Sequence, residues 1–359
     1  MAKVLMKGNE AIGEAAIRAG CLNYFAYPIT PQSEVAEYLS RRMKEVDGVF
    51  LQGESEVAVS YMIFGAAAAG ARVFTTSSSP GISLMSEGIS YMAGAQVPAV
   101  FVNIMRGGPG LGGILPSQAD YMQATKSMGH GDFRLLVMAP ASVQEAVSMV
   151  MQAFSLAEKY RNPVMILGDG LIGQMMEPVE FLDDYKVEPT NKDAWATNGM
   201  RTRNSQSRNL VKSLFLDPEA LDKNNQILKA KYEQMKREDI QYETYNAESD
   251  YRLLIVSYGT MSRVCRTAID NMKKKGLEVA MLRPLTLFPF PEDQILAAAD
   301  VPNCEAVASI EMSMGQMVED IQRSVLGKKP VHWFGKCGGD VPTPEEVTTF
   351  LYTLIDGPA

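Results

Sequence analysis

Two carboxyl side chains, Glu54 and Glu56, stand at the start of an apolar segment that predicts a buried helix from Glu54 to Gly70. Carboxylates at a helix start are stabilised by the positive end of the helix dipole, which gives the pair a purely structural interpretation. Withdrawing a carboxyl group from water at such a place also favours proton sharing with a bound ligand. The residue types and their spacing leave both interpretations open.

An arginine and a threonine offer the chemistry to bind an anionic small molecule. Arg106 follows a predicted buried strand, Pro98–Met105, and opens a glycine-rich loop. A guanidinium group can hold a carboxylate through two parallel hydrogen bonds, although a loop arginine can also simply face solvent. Thr30 and Pro31 predict the start of a helix, with Thr30 as its N-cap. Because ligands also meet helix N-termini, Thr30 is a candidate for both roles.

Two glycine-rich strings look like phosphate-binding motifs but lack the elements that those motifs need. Gly108–Gly113 fits the GxGxxG pattern, yet Pro116 follows and the next helix is predicted to start at Ser117, so NAD binding is disfavoured. Gly168–Gly170 is similar to the start of the metal and diphosphate motif of thiamine-diphosphate enzymes. No strand ending in Asn is recognised downstream of it, so a turn at a strand end is preferred.

The composition argues against several classes of protein. The chain has 359 residues, with 34 Lys and Arg against 42 Asp and Glu, and this net charge of −8 disfavours nucleic-acid binding. We expect no membrane span and no signal peptide, and therefore a cytoplasmic protein. The four cysteines form no CxxC pair, so we expect no metal site and no iron–sulfur cluster built within this chain.

Short apolar strands alternate with helices in the first half of the chain, which predicts a parallel sheet in an α/β domain. Residues 1–182 form this doubly wound domain. It includes a helix opened by an Asn9 cap and a long helix opened by a capping box, Ser142–Glu145.

The second half of the chain divides into a polar segment and another α/β pattern. Residues 183–250 predict a surface connector with one charged helix, Pro218–Arg237, and a partner-docking arm is the alternative. Residues 251–359 predict a second doubly wound domain, in which Arg283–Pro291 is a loop.

Six short strings follow one another along the chain: Tyr27-Pro-Ile-Thr30-Pro31, Glu54-Ser-Glu56-Val-Ala, Ser77-Ser-Ser-Pro80-Gly81-Ile-Ser-Leu-Met85, Arg106-Gly-Gly-Pro109, Gly129-His-Gly-Asp132 and Arg283-Pro-Leu. Their order and spacing resemble the α subunit of 2-oxoacid:ferredoxin oxidoreductases over nearly the whole chain, the polar connector excepted. The branched-chain (3-methyl-2-oxobutanoate) type is the most similar, followed by the 2-oxoglutarate type. Ser79 departs from the pattern, because many relatives have Gly before Pro-Gly; we expect little change in chemistry.

The resemblance implies a thiamine-diphosphate pyrimidine-binding-type domain followed by a transketolase-C-terminal-like domain. It implies a subunit, active only with its partners, of an enzyme for thiamine-diphosphate-dependent and coenzyme-A-dependent oxidative decarboxylation of a 2-oxoacid. A β subunit would hold the diphosphate and Mg²⁺, and a γ subunit would join the complex. A ferredoxin-like subunit would carry iron–sulfur clusters that pass electrons to an external ferredoxin. The sequence shows neither an intact diphosphate motif nor a cysteine pattern for iron–sulfur clusters, which agrees with placing these groups in partner subunits.

The resemblance also assigns roles to residues at matching positions. Glu56 would be catalytic, because its carboxyl group would contact N1′ of the cofactor pyrimidine and favour the imino form that takes the proton from C2. Tyr27 and Pro28 would line the pyrimidine. Thr30 and Arg106 would bind the substrate, Arg106 through the substrate carboxylate.

Four further residues receive weaker interpretations. His130 and Asp132 lie in a glycine-flanked turn that either shapes the substrate or coenzyme A channel or is only structural. His332 is expected to be a packed or edge residue, and Glu311 a packing or interface residue.

Three alternatives stay open at this point. Another split thiamine-diphosphate enzyme is disfavoured, because the chain has only two histidines. A non-catalytic scaffold that kept the fold and a nucleotide-binding protein are the others. The sequence does not decide among branched-chain, 2-oxoglutarate and pyruvate substrates.

Overall fold

The computed structural model describes residues 3–126, 128–181, 190–199 and 207–356. Its strands are β1 Val4–Lys7, β2 Asn23–Ala26, β3 Val49–Gln52, β4 Phe74–Ser77, β5 Val100–Met105, β6 Leu136–Met138, β7 Val164–Asp169, β8 Met176–Val179, β9 Tyr242–Tyr245, β10 Leu253–Val256, β11 Val279–Pro284, β12 Thr286–Phe288, β13 Ala306–Glu311 and β14 Val331–Gly335.

Its helices are α1 Gly8–Arg18, α2 Ser33–Glu45, α3 Glu56–Ala68, α4 Pro80–Gly94, α5 Tyr121–Thr125, α6 Val143–Tyr160, α7 Gly170–Gln174, α8 Pro218–Glu238, α9 Met261–Lys273, α10 Glu292–Ala299, α11 Met317–Val325 and α12 Pro344–Asp356.

The strands form two main sheets. The seven-stranded sheet has the order β12-β6-β7-β5-β4-β2-β3, and the five-stranded sheet has the order β14-β13-β10-β11-β9. All pairs in the two sheets are parallel except β12 with β6 and β9 with β11. A separate ribbon joins β1 to β8. The predicted fold class, α/β with two doubly wound sheets, is confirmed.

The central strands show why the sequence folds this way. All six residues of β5 and all six of β7 are buried. A strand in a parallel sheet is covered on both faces, so it must be apolar nearly throughout rather than alternate with polar residues.

The two sheets exchange strands across residue 250. Strand β9, which precedes this point, pairs with β11 in the five-stranded sheet. Strand β12, which follows it, pairs with β6 at the edge of the seven-stranded sheet. The division into residues 1–182, 183–250 and 251–359 stays a prediction.

Two predicted helix caps were wrong. Helix α2 begins at Ser33 rather than at Thr30, and its N-cap position is Gln32. Asn9 lies inside α1, where its side chain donates a hydrogen bond to the carbonyl of Pro31 at 2.8 Å. The reason is the same in both cases, because groups that would suit a local cap serve contacts between distant segments here; the carbonyl of Thr30 accepts a hydrogen bond from Arg106.

Two further elements differ from expectation and two agree. The helix predicted at Ser117 begins only at Tyr121. Arg283–Pro291 is not a single loop, because it contains the end of β11 and all of β12. The charged helix is confirmed as α8, whose buried face is Leu228, Tyr232 and Met235. The cap of α6 is confirmed, since the hydroxyl of Ser142 accepts from the amide of Glu145 at 3.2 Å.

Candidate active site

The strand order of the seven-stranded sheet reverses between β2 and β4, where a ligand can bind. Strands β2 and β4 are neighbours, but they pair only at Tyr24 and Phe74, toward their amino-terminal ends. From β2 the chain continues to β3 on one side, and from β4 it continues to β5 on the other. Ligands of open α/β sheets bind at the carboxyl ends of the strands at such a point of reversal.

Glu56 lies at this edge as the first residue of α3. The preceding residue caps the helix, since the Ser55 hydroxyl accepts from the amide of Ala58 at 3.2 Å. Only 5% of Glu56 is exposed, yet its carboxylate has no hydrogen-bond or ion-pair partner among the described residues. Glu54, in contrast, is exposed and accepts from Ser55. Of the two carboxylates, only that of Glu56 is therefore buried without a partner among the described residues.

The first turn of α4 forms a cradle beside Glu56. A Cβ atom added to Gly81 would lie 2.8 Å from Oε1 of Glu56 and 2.2 Å from Oγ of Ser77. The hydroxyls of Ser77 and Ser78 are buried and have no partner among the described residues. Buried polar groups are nearly always hydrogen-bonded in folded proteins, so this set is suited to a polar ring of a bound molecule.

Arg106 is fixed in place without a counter-charge. Its Nη1 donates to the carbonyl of Thr30 at 2.9 Å, and its Nη2 donates to the carbonyl of Leu111 at 3.0 Å. The residue is 7% exposed, and its Nε is buried without a partner. No carboxylate of the described segments pairs with it. A buried guanidinium held by neutral carbonyls is suited to an anionic ligand, because an unpaired buried charge is costly.

The loop after β2 carries the other predicted site residues. Thr30 is exposed and meets Arg106 through its backbone carbonyl rather than its hydroxyl. Tyr27 is half-buried and Pro28 is exposed. The fold thus brings Thr30 and Arg106 together, while the roles of Thr30, Tyr27 and Pro28 toward a ligand stay predictions.

Ser79 is surrounded by a set of polar residues that was not predicted from the sequence. The Ser79 hydroxyl donates to Oδ2 of Asp120 at 2.6 Å and accepts from the amide of Arg106 at 3.0 Å. Oδ1 of Asn103 accepts from the amide of Ser79 at 3.0 Å, and its Nδ2 donates to Asp120 at 2.9 Å. Burial raises the pKa of Asp120. The departure at Ser79 was the one available signal, and nothing in the local sequence pointed to Asn103 or Asp120.

Ser79 and Gly81 join the two halves of the site. Ser79 contacts the backbone of Arg106, and two residues later Gly81 lies against Glu56. The start of α4 therefore stands between the Glu56 carboxylate, which has no partner among the described residues, and the Arg106 guanidinium, which has no counter-charge among them.

His130 and Asp132 lie in the loop between α5 and β6, beside a later part of α4. Both are exposed, and the carbonyl of His130 accepts from the hydroxyl of Ser90 at 2.8 Å. Ser90 is nine residues beyond Gly81, roughly 13 Å along the helix. The two residues line a cavity of 680 Å³ between α4 and α8. The fold places them apart from the Glu56 cradle, and their functional role stays a prediction.

Glu311 and His332 lie in the second sheet. Glu311 is fully buried and accepts from the backbone amides of Gln316, Met317 and Val318, so it holds the start of α11. The expected packing role is confirmed. His332 lies on β14 at the edge of its sheet, as expected.

The two glycine-rich strings have structural roles. Asp169 is the N-cap of α7, accepts from the amide of Leu171 at 2.9 Å, and accepts from the hydroxyl of Thr260. Gly108–Gly113 lies in a loop closed by a bridge between Arg106 and Pro116, and no helix begins within it. The loop ends in exposed apolar side chains, with Leu111 84% exposed.

Neither a cluster of metal-ligating side chains nor a membrane-spanning helix occurs among the described residues. Across residues 3–126, 128–181, 190–199 and 207–356, no group of three or more His, Cys, Asp or Glu is arranged to hold a metal ion. No helix in these ranges combines the length and apolarity that crossing a membrane requires.

Two family models match the sequence. Residues 14–245 match the family described as pyruvate flavodoxin/ferredoxin oxidoreductase, thiamine-diphosphate-binding, and residues 252–347 match pyruvate:ferredoxin oxidoreductase core domain II. The first match includes residues 183–245, so our view that the polar connector lies outside the resemblance was wrong.

Curated relatives match over nearly their full length. Ketoisovalerate oxidoreductase subunit VorB of Methanothermobacter thermautotrophicus is 47% identical over 341 residues, which is 95% of each chain. The 2-oxoglutarate synthase subunit KorA of the same organism is 33% identical, covering 97% of this chain and 98% of its own.

Solved structures share the fold. A 2-oxoglutarate:ferredoxin oxidoreductase from Magnetococcus marinus, with 2-oxoglutarate, coenzyme A and succinyl-CoA bound, superposes with a TM-score of 0.84 at 26% identity. The match covers 99% of this chain and 65% of that one. A split-gene transketolase in an inactive β4 tetramer gives a TM-score of 0.60 at 12% identity and is similar in fold alone.

Proposed function

Because this chain belongs to the pyruvate flavodoxin/ferredoxin oxidoreductase family and is a subunit of a 2-oxoacid:ferredoxin oxidoreductase, we propose that its substrate is 3-methyl-2-oxobutanoate. The complex would decarboxylate this 2-oxoacid oxidatively, transfer the acyl group to coenzyme A and pass the electrons to ferredoxin. The relative named for ketoisovalerate is 47% identical, against 33% for the relative named for 2-oxoglutarate, which supports this choice.

The residues at the start of α4 suit the pyrimidine of thiamine diphosphate. That cofactor, when bound, supplies a carbon nucleophile and an electron sink. Glu56 offers a buried acceptor to a ring nitrogen, and the hydroxyls of Ser77 and Ser78 offer further polar partners. Gly81 lets the start of α4 approach Ser77 and Glu56 closely, because a Cβ atom at this position would overlap both side chains. The buried carboxylate of Glu56, which has no partner among the described residues, is the single observation that carries the proposal of a thiamine-diphosphate site.

Glu56 acts by holding a proton at N1′ of the pyrimidine. A carboxyl group that shares its proton in a site closed to water can change the protonation of the ring during turnover. Its position at the start of α3, where the Ser55 hydroxyl already caps the helix, leaves both carboxylate oxygens free for this task.

Arg106 binds and orients the substrate carboxylate. Its guanidinium is held by the carbonyls of Thr30 and Leu111, so it is pre-organised before the substrate arrives. Thr30 would add its exposed side chain near the same carboxylate, and Tyr27 and Pro28 would line the pyrimidine.

The site is completed by partner subunits. A β subunit would supply the diphosphate and Mg²⁺ half, because the Gly168–Gly170 string is used for a helix cap in this chain. The exposed side chains of Leu111, Ile114 and Leu115 give the rim of the site an apolar surface suited to such a partner. A γ subunit and a ferredoxin-like subunit with iron–sulfur clusters would complete the complex, which would donate to an external ferredoxin in the cytoplasm.

The test is the activity of the assembled complex. The tagged chain is purified anaerobically from its own host, and viologen reduction is measured with 3-methyl-2-oxobutanoate, 2-oxoglutarate and pyruvate, each with and without coenzyme A. We expect coenzyme-A-dependent reduction that is fastest with 3-methyl-2-oxobutanoate. A preference for 2-oxoglutarate would replace the substrate and keep the mechanism. An intact iron–sulfur complex without activity on any of the three would contradict the proposal and favour a scaffold.

A further inference from the structure

Ser79 adopts a backbone conformation that costs free energy. Its φ is +20° and its ψ is −79°, in a region that side-chain-bearing residues rarely occupy. Such a conformation persists where surrounding contacts hold it, and it often marks a functional position. Although Ser79 is the N-cap residue of α4, its hydroxyl makes no capping hydrogen bond to that helix.

The Ser79 hydroxyl instead links two other segments. It donates to Asp120 at 2.6 Å and accepts from the backbone amide of Arg106 at 3.0 Å. Asn103 closes a ring, because its side chain accepts from the amide of Ser79 and donates to Asp120. Asn103 is fully buried within β5, three residues before Arg106. These contacts fix the backbone at the point where Arg106 leaves the sheet.

Both ends of Arg106 are therefore held. Ser79 holds its backbone amide, and the carbonyls of Thr30 and Leu111 hold its guanidinium. A guanidinium that must meet a carboxylate through two hydrogen bonds loses affinity when its stem is free to rotate, since the freedom must be given up on binding.

The segment that carries Asp120 is in turn held by the second sheet and its helices. The amide of Gln118 donates to the carbonyl of Met312 at 2.8 Å, and the amide of Met312 donates back to the Gln118 side chain at 2.9 Å. Further hydrogen bonds join Gln118 with Tyr258, Gln316 with Ala119 and Met122, and Asp320 with Tyr121. Asp120 therefore lies between residues that are anchored on both sides.

We propose that Ser79 and Asp120 are positioning residues for Arg106, and that the C-terminal sheet and its helices set the substrate affinity by holding the segment around Asp120. The proposal rests on the proposed role of Arg106 toward the substrate carboxylate. It gives the serine at position 79 a task that glycine could not perform, in contrast to the expectation from the sequence that this departure changes little.

The test uses Ser79→Gly and Ser79→Ala in the purified complex. Glycine relieves the backbone conformation and alanine keeps it, but both remove the hydroxyl. We expect both variants to raise the KM for 3-methyl-2-oxobutanoate about five- to tenfold, the effect of one hydrogen bond, with kcat changed less than twofold. We also expect the unfolding midpoint of the glycine variant to lie above that of the alanine variant, because both lose the hydroxyl but only glycine relieves the backbone conformation. Ser86→Ala, on an outer turn of α4, is the matched control and should leave KM unchanged.

A double-variant cycle connects the effect to Arg106. In an Arg106→Lys background, Ser79→Gly should raise KM less than twofold further, because the group that it positions is already lost. Gln316→Ala removes the hydrogen bonds that hold the residues near Asp120. It should raise KM about threefold in the wild-type background and leave KM unchanged in the Ser79→Gly background. A KM unchanged by Ser79→Gly, or changes that multiply independently with Arg106→Lys, would overturn the proposal.

A readout without turnover separates this proposal from the proposed function. Addition of 3-methyl-2-oxobutanoate should raise the unfolding midpoint of the wild-type complex, and the concentration for half the rise should be higher in Ser79→Gly. If the wild type responds and the variant matches it, only the positioning proposal fails. If the wild type neither turns over nor is stabilised by any 2-oxoacid, both proposals fail.

Discussion

Replacing Glu56 by glutamine tests the central residue with a minimal change of shape. The substitution exchanges one carboxylate oxygen for an amide nitrogen in a side chain that is 5% exposed. No described residue contributes a hydrogen bond to that carboxylate, so no partner is left unsatisfied when the charge is removed. A loss of activity would therefore report the chemistry of the carboxyl group rather than a collapse of its surroundings.

The expected magnitudes for stability and activity differ widely. The charge of Glu56 interacts favourably with the start of α3, which contributes about 0.3–1 kcal/mol to the free energy of unfolding. One kcal/mol corresponds to a shift of about 2–4 °C in the unfolding midpoint of a protein of this class, so stability should change little. Removal of a group that transfers protons should lower kcat by about 10²- to 10⁴-fold.

The assay is coenzyme-A-dependent viologen reduction by the purified complex with 3-methyl-2-oxobutanoate. Glu54→Gln is the matched control, because Glu54 is exposed, lies two residues away and loses the same charge. We expect the control to retain more than half of the wild-type kcat. Comparable kcat values for Glu56→Gln and Glu54→Gln would refute the catalytic role of Glu56. A Glu56→Gln chain that no longer assembles with its partner subunits would contradict the reasoning that the substitution changes only the chemistry of the carboxyl group.

Three further predictions concern other parts of the chain. Gly81→Ala should lower the affinity for thiamine diphosphate at least about tenfold, because the added Cβ would lie 2.8 Å from the Glu56 carboxylate. The amount of cofactor bound at each concentration is measured by fluorescence after its oxidation, and unchanged binding would contradict a binding site at Glu56, Ser77 and Gly81. Arg106→Lys should raise the KM for the 2-oxoacid about 10- to 100-fold and affect kcat less, since one ammonium group cannot replace a guanidinium that makes two parallel hydrogen bonds to a carboxylate. Steady-state kinetics measure both constants, and a lower kcat with an unchanged KM would contradict the role of Arg106 in substrate binding. Burial lowers the pKa of Lys231 from 10.5 to about 7, so the folded chain binds fewer protons than the unfolded chain between these values and stability should rise with pH across that window. Lys231→Met should raise the unfolding midpoint at pH 8 and reduce the increase of the midpoint with pH, which thermal melts at pH 7–10 would measure. An increase with pH as steep as in the wild type would show that Lys231 does not cause it.

The fold could be predicted because its signals are local. Strands β5 and β7 are continuous apolar runs, and α6 carries its own cap in Ser142. Buried parallel strands and capped helices are specified by residues that are neighbours in sequence. The α/β class and the order of elements follow from such segments.

The errors arose where a residue serves a distant segment. Asn9 has the chemistry of a cap but bonds to Pro31, and Thr30 offers its carbonyl to Arg106. Strand β12 has only three residues, flanked by prolines, and it becomes a strand because β6 offers an edge. No local pattern contains that information, since it depends on the partner that the fold supplies.

The candidate site was predicted in part for the same reason. Glu56 and Arg106 stand in strings that resemble those of a known family, and the fold places both beside the start of α4. Asp120 stands in no such string, and its contact with Ser79 joins residues 41 positions apart. Residues that position others are recognised only when the contacts between segments are known.

The placement of β12 has a consequence for synthesis on the ribosome. Strand β6 leaves the ribosome with one side unpaired, and its partner β12 is made roughly 150 residues later. Until then the nascent chain exposes an open sheet edge, which is a template for pairing with another chain. A polypeptide that ends at residue 250 would keep that edge permanently. The N-terminal half is therefore expected to need either a chaperone or its own C-terminal half to remain monomeric.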